Sequence, residues 1–130
     1  MPVAVVHVMT RNVVFAAQDH TVAHVREVMA AKHIHALPVV GKNREVRGIV
    51  TTADVARHLD DVTPVAHVMS EMVVTINAAD PASEAARLMR KHRVHLVVTD
   101  KKAVVGIVST FDLLRLVEEK TQERDEPTRL

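Results

Sequence analysis

Apolar and polar positions along this chain switch between two rhythms. Val13-Val14-Phe15 is a short apolar run with strand preference. From Thr21 the spacing lengthens, and Val22, Val25, Val28 and Met29 fall on one face of a helix that Thr21 can cap. Pro38-Val39-Val40 opens a strand, proline being tolerated at a strand's first residue. Gly41-Lys42-Asn43-Arg44 makes a turn, Val46 to Val50 returns as the paired strand, and Thr52 to Leu59 reads as a short helix. The predicted order is strand, helix, strand, strand, helix, closed by the polar linker Asp60 to Pro64.

The same order then recurs. Val73 to Ile76 predicts a strand, and Asp80-Pro81 a helix start, with an acidic N-cap and proline at the first helical position. Ala85, Leu88, Met89 and His92 line one face of that helix. Leu96 to Thr99 and Ala103 to Val108 form a hairpin about Asp100-Lys101-Lys102. A last helix runs from Thr110 through Glu119 and buries Leu113, Leu114, Leu116 and Val117. Residues 120–130 carry charge, a proline and little apolar content, so disorder is expected there.

The recurrence reaches individual residues. His7-Val8-Met9 returns as His67-Val68-Met69, Met29 as Met89 and His35 as His95. Val39-Val40 returns as Val97-Val98, and Arg57 as Arg115. The densest match is Gly48-Ile49-Val50-Thr51-Thr52-Ala53-Asp54 against Gly106-Ile107-Val108-Ser109-Thr110-Phe111-Asp112. Each copy runs glycine, two β-branched residues, a hydroxyl, and an aspartate three places later. The chain is an internal duplication whose copies occupy residues 1–60 and 61–119. Each ends in a corner where a strand gives way to a helix, with its free backbone N–H groups.

Composition narrows the chemistry. Apolar residues make up 48%, enough for a core, yet only Phe15 and Phe111 are aromatic, so that core is aliphatic. Seventeen basic residues face sixteen acidic ones, and no strong field is available to gather nucleic acid or an anionic membrane. Cysteine is absent, which removes disulfides and thiolate metal sites. No apolar stretch approaches the roughly 20 residues of a membrane span. The opening MPVAVVHVM lacks the basic region of a signal peptide. These features point to a soluble cytoplasmic protein. Nine histidines invite a metal reading through His33-x-His35 and His92-x-x-His95, but no H-E-x-x-H pattern supports one, and no metal is assigned. There is no nucleophile–base constellation either, so no enzyme is read.

Val8-Met9 and Val68-Met69 ahead of the first strands, Leu37-Pro38-Val39-Val40, and the two G-h-h-[ST]-x-x-D corners together resemble a tandem pair of cystathionine-β-synthase (CBS) domains, a Bateman module, over about residues 5–118. The resemblance implies an α+β fold of two βαββα motifs packed by their sheets about a pseudo-twofold axis. It also implies two clefts that take adenosine-containing ligands such as AMP, ADP, ATP or S-adenosylmethionine. By that resemblance Thr51 and Asp54 face Val74, Val94 and His95, while Ser109 and Asp112 face Val14, Ile34 and His35. Each aspartate would take ribose hydroxyls and each corner hydroxyl a phosphate. No catalytic cofactor is implied, the ligand being regulatory. A homodimer through the helices after the corners is expected, from Ala53, Val55, Ala56, Leu113, Leu114 and Val117. A regulated partner protein of unknown identity would receive the signal, and neither membrane nor nucleic acid is expected as a partner.

The chemistry of the residues agrees with this reading. A carboxylate accepts both hydroxyls of a ribose with charge-assisted strength, and His35 or His95 can offer a donor to phosphate. Thr51-x-x-Asp54 and Ser109-x-x-Asp112 are equally capping boxes with an acid in place of glutamate, and the pattern leaves both roles open, as it leaves open a structural dimerisation module with empty clefts. The corner of Ser109 and Asp112 is ranked the better site, because the full Ile34-His35-Ala36-Leu37-Pro38 segment walls it. The segment facing the other corner, Val94-His95-Leu96, lacks a basic neighbour after the histidine.

Overall fold

In the computed structural model, residues 3–11, 14–57, 60–92 and 95–116 are described. The first half contains β1 (Ala16–Ala17), α1 (Val22–Lys32), β2 (Ala36–Val40), β3 (Val46–Thr51) and α2 (Thr52–Ala56). The second contains β4 (Thr75–Asn77), α3 (Ala82–His92), β5 (Leu96–Asp100), β6 (Ala103–Val108) and a helix over residues 110–116, here α4. Each half builds a three-stranded sheet, β1-β2-β3 and β4-β5-β6. The first two strands of each run parallel and the last two antiparallel. This is the predicted α+β arrangement of two βαββα units.

Local signals set the elements. Thr21 Oγ1 accepts the His24 N–H at 3.1 Å and caps α1, which buries Val22, Val25 and Met29. α1 ends at His33, held in the left-handed region at φ 56° and ψ 44°, and the chain turns there towards Ile34 and His35. Lys101 and Lys102, both at positive φ, close the β5–β6 hairpin in a two-residue turn.

Several expectations shift. Val13 lies outside the described residues, Val14 and Phe15 are half-buried outside any strand, and the ladder falls on Ala16 and Ala17, paired with Val39 and Val40. β4 likewise begins at Thr75, after Val73 and Val74. The β-branched and aromatic residues ahead of both strands serve side-chain packing, since Phe15 and Val73 lie against Val40, Val97 and Val104. Pro38 is the third residue of β2 rather than its first. It precedes the two positions paired with β1, so β1 makes no demand on its missing N–H. Helix α3 starts at Ala82; Pro81 instead bridges to Ala4, and the Asp80 carboxylate accepts the Asn77 N–H at 3.2 Å. His92 and Leu114 are exposed, not buried. Leu59, Val117, Glu119 and the tail from residue 120 to residue 130 lie outside the described residues.

The copies are contiguous in sequence, but their cores are not. The stretch ahead of each copy's first strand packs on the other copy. Val5 and Met9 join the core of Ile76, Ala85, Leu96, Val98 and Val108, while Val65, Val68 and Met69 join that of Val22, Val25, Leu37 and Val50. Backbone bonds pin this exchange: Thr10 pairs with Ile107 and Ser70 with Ile49. The repeated glycines follow from it. A Cβ at Gly48 would lie 2.6 Å from Met69 Sδ and 2.7 Å from the Ser70 carbonyl oxygen, and a Cβ at Gly106 would meet Met9 Sδ and the Thr10 carbonyl oxygen. The H-V-M and G-I-V motifs recur together because each is the other's packing partner across the halves.

Candidate functional site

The two corners lie where β3 leads into α2 and β6 into α4. At the first, Asp54 Oδ2 accepts the Thr51 N–H at 2.8 Å and the Thr51 hydroxyl at 3.0 Å, and Thr51 Oγ1 accepts the Asp54 N–H at 3.3 Å. That is a complete capping box. The second repeats it, with Asp112 Oδ2 accepting from the Ser109 N–H at 2.8 Å and the hydroxyl at 3.2 Å. Asp112 is 4% exposed and is the only charged residue in the buried set among the described residues. Its other oxygen, Oδ1, accepts from Thr10 Oγ1 at 3.3 Å and from the Arg115 guanidinium in an ion pair.

His35 flanks the first corner directly, its carbonyl accepting the Thr52 N–H at 2.9 Å. Ile34 is half-buried against the first core, and Val74 against the second. Val14 is half-buried, and Val94 lies outside the described residues. Ile34 and His35 also line a pocket of about 340 Å³ with Met29, Thr52, Val55 and Ala56, into which neither Thr51 nor Asp54 enters. The resemblance sets His95 opposite Asp54, whereas the charges His95 feels are those of Asp112 and His35. Burial pushes its imidazole below the ordinary value; the Asp112 carboxylate opposes this, and the like charge of His35 adds to it. The two histidines therefore share one electrostatic neighbourhood between the halves, on which the second corner also bears. Among the described residues no group of three His, Asp or Glu side chains gathers as a metal site, and no helix is long and apolar enough to cross a membrane.

Sequence reasoning missed Thr10 and Arg115 as partners of Asp112. Arg115 had a visible signal: it lies one helical turn after Asp112, a spacing at which side chains meet, and it repeats Arg57. Thr10, 102 residues away from Asp112, had none.

With this geometry established, the comparisons with known proteins are direct. The CBS domain family model matches residues 5–61 and again residues 65–119. The chain belongs to the CBS domain family and carries the domain as a tandem pair. It is 33% identical over 115 residues to a homoserine O-acetyltransferase of Methanocorpusculum labreanum, covering 86% of this chain and 24% of that protein. It is 32% identical to an inosine-5′-monophosphate dehydrogenase of Halobacterium salinarum, covering 92% of this chain and 25% of the other. The chain thus spans about a quarter of the length of these relatives. A CBS domain-containing protein of Dictyostelium discoideum is 31% identical, with 90% and 92% covered.

Among solved structures, an acetoin utilization protein of Vibrio cholerae superposes with a TM-score of 0.86 at 26% identity, covering 97% of this chain and 98% of that one. A CBS domain pair crystallised with 5′-methylthioadenosine and S-adenosyl-L-methionine gives 0.83 at 24% identity, covering 92% and 99%. CBSX2, crystallised with AMP, gives 0.82 at 20%, covering 92% and 98%. The last two likenesses are of fold.

Proposed function

We propose that the chain is a cytoplasmic regulatory module that binds an adenosine-containing nucleotide between its two CBS motifs and signals occupancy to a partner protein. The observation that carries this reading is the duplicated corner: a carboxylate and a hydroxyl held together at the end of the third strand of each half. A carboxylate so placed suits a ribose diol, and the adjacent hydroxyl and histidines suit phosphate. The related folds crystallised with S-adenosyl-L-methionine and with AMP support the ligand class. Thr51, Asp54, Val74, Val94 and His95 are proposed for one cleft, and Ser109, Asp112, Val14, Ile34 and His35 for the other. The test is a thermal-shift panel of AMP, ADP, ATP, S-adenosylmethionine and NAD. A saturable rise in melting temperature with an adenosine ligand is expected. No rise with any of them leaves the corners as helix caps and the protein as a dimerisation module.

The reading includes a homodimer through α2 and α4. Val55 is buried in the first core and drops out of that face. Ala53 and Ala56 are exposed, Leu114 is 50% exposed, and Phe111, at 78%, adds a large apolar ring. Such a surface suits a twofold interface. Light scattering at micromolar concentration should give twice the chain mass, and Phe111→Glu should halve it; a monomeric wild type removes the dimer.

A further inference from the structure

The corners are copies in sequence but not in bonding. Asp54 engages one carboxylate oxygen, Oδ2, and its Oδ1 has no hydrogen-bond partner among the described residues. Asp112 engages both, Oδ2 with Ser109 and Oδ1 with Thr10 and Arg115. The residues that make this difference have counterparts in the first half that behave otherwise. Arg57 stands three residues after Asp54, as Arg115 does after Asp112, yet it is exposed and makes no ion pair with Asp54 among the described residues. Ser70 stands where Thr10 does, against the other half's third strand, but its hydroxyl accepts the Met72 N–H at 3.2 Å.

We infer that Arg115 and Thr10 are specificity-determining residues: they occupy the Asp112 oxygen that a ribose needs, so an adenosine ligand fills the Asp54 corner first. This rests on the nucleotide reading above and reverses the ranking drawn from sequence. A ribose diol presents two donors and binds most tightly to a carboxylate with both oxygens available. At Asp54 one oxygen has no partner to displace among the described residues. At Asp112 the diol must first displace a guanidinium and a hydroxyl from a carboxylate sealed from water, where unpaired groups are costly. The Arg115 side chain is itself 64% exposed, so solvent can receive it, and a hollow of about 150 Å³ beside it is lined by His7, Met9, Asp112 and Leu116. The corner is closed by a removable contact rather than by packing.

Calorimetry on the full chain tests this, with AMP and S-adenosylmethionine as probes. Wild type should bind one equivalent tightly, Asp54→Asn should abolish that binding, and Asp112→Asn should leave it intact. The double variant Arg115→Gln/Thr10→Val should gain a second equivalent, with affinity at the Asp112 corner rising roughly ten- to hundredfold, the worth of a charge-assisted hydrogen bond. Adding Asp112→Asn should remove that gain. Tight binding lost in Asp112→Asn but kept in Asp54→Asn overturns the inference, as does a double variant with no second equivalent. A ligand-free arm separates this failure from failure of the nucleotide reading. Arg115→Gln should lower the melting temperature in the wild-type background and not in Asp112→Asn. No such coupling means that the contact does not form in solution, and the inference falls. Coupling without binding of either probe in any variant overturns the selectivity, and the same silence across the thermal-shift panel overturns the nucleotide reading.

Discussion

Set side by side, the halves agree in sheet topology and in how their corners are capped, and differ in what depends on side-chain reach. Both have one parallel and one antiparallel strand pair, a capping box after the third strand, and a glycine pressed by the other half's methionine. Their aspartates nevertheless live in different surroundings: Asp54 is half-buried, with one oxygen unpartnered among the described residues, and Asp112 is almost sealed and bonded through both oxygens. A duplication keeps the frame because strand register and close backbone approach tolerate little change. It lets the decoration drift because a hydroxyl or a guanidinium can find another partner at small cost.

The sharpest way to break this comparison is to remove the two carboxylates in turn. Asp112→Ala should destabilise the fold by up to about 3 kcal/mol, since it strips charge-assisted bonds and leaves Ser109, Thr10 and Arg115 without their acceptor. Asp54→Ala should cost about 1 kcal/mol, the scale of a lost cap. Urea denaturation of both variants gives the ratio. Equal losses would mean that the extra contacts of Asp112 contribute nothing.

The glycines come next. Gly48→Ala and Gly106→Ala both overpack the junction between halves, at a cost of roughly 1–3 kcal/mol, and the first should be the worse. Its Cβ would lie 2.7 Å from the Ser70 carbonyl oxygen, which is backbone and cannot step aside, while at Gly106 the corresponding Thr10 oxygen is 3.0 Å away. The nearer obstacle at Gly106 is the thioether of Met9, a flexible side chain. Met9→Ala should therefore recover part of the loss in Gly106→Ala, and Met69→Ala should recover less in Gly48→Ala. Identical behaviour in thermal unfolding would erase this distinction between the halves.

How much of this was legible in the chain follows from range. The Thr21 cap, the face of α1, the hairpins and the capping boxes are local, and a few neighbouring residues encode each of them. Strand placement erred by two or three residues because β-propensity marks side chains that pack well. Phe15 does pack, but the ladder falls on the alanines that follow. The exchange of lead segments had no local signature, since Val5 and Val65 look alike whichever sheet they join. For the same reason Thr10 was invisible as a partner of Asp112. Arg115 was readable from its spacing to Asp112, but its repeat Arg57 makes no ion pair with Asp54 among the described residues, a difference that the sequence does not carry.

The smallest effect is the pH response of His95, and it probes the electrostatic side of the same asymmetry. Burial holds this imidazole below its ordinary value, so the folded chain binds its proton less readily than the unfolded chain does. Its contribution to stability is complete above the unfolded value, near pH 6.5, and is lost as the pH falls through the lower folded value, because unfolding then takes up a proton. Melting temperature should accordingly drop between pH 7.5 and pH 5, less steeply in His95→Gln. The surroundings of His95 predict two further slopes. Asp112→Asn removes the carboxylate that opposes the shift, driving the imidazole lower and steepening the loss. His35→Gln removes a like charge and makes it shallower. If all four proteins lose stability along one common slope, His95 stays in water in solution, and the second corner has no electrostatic link to the junction between the halves.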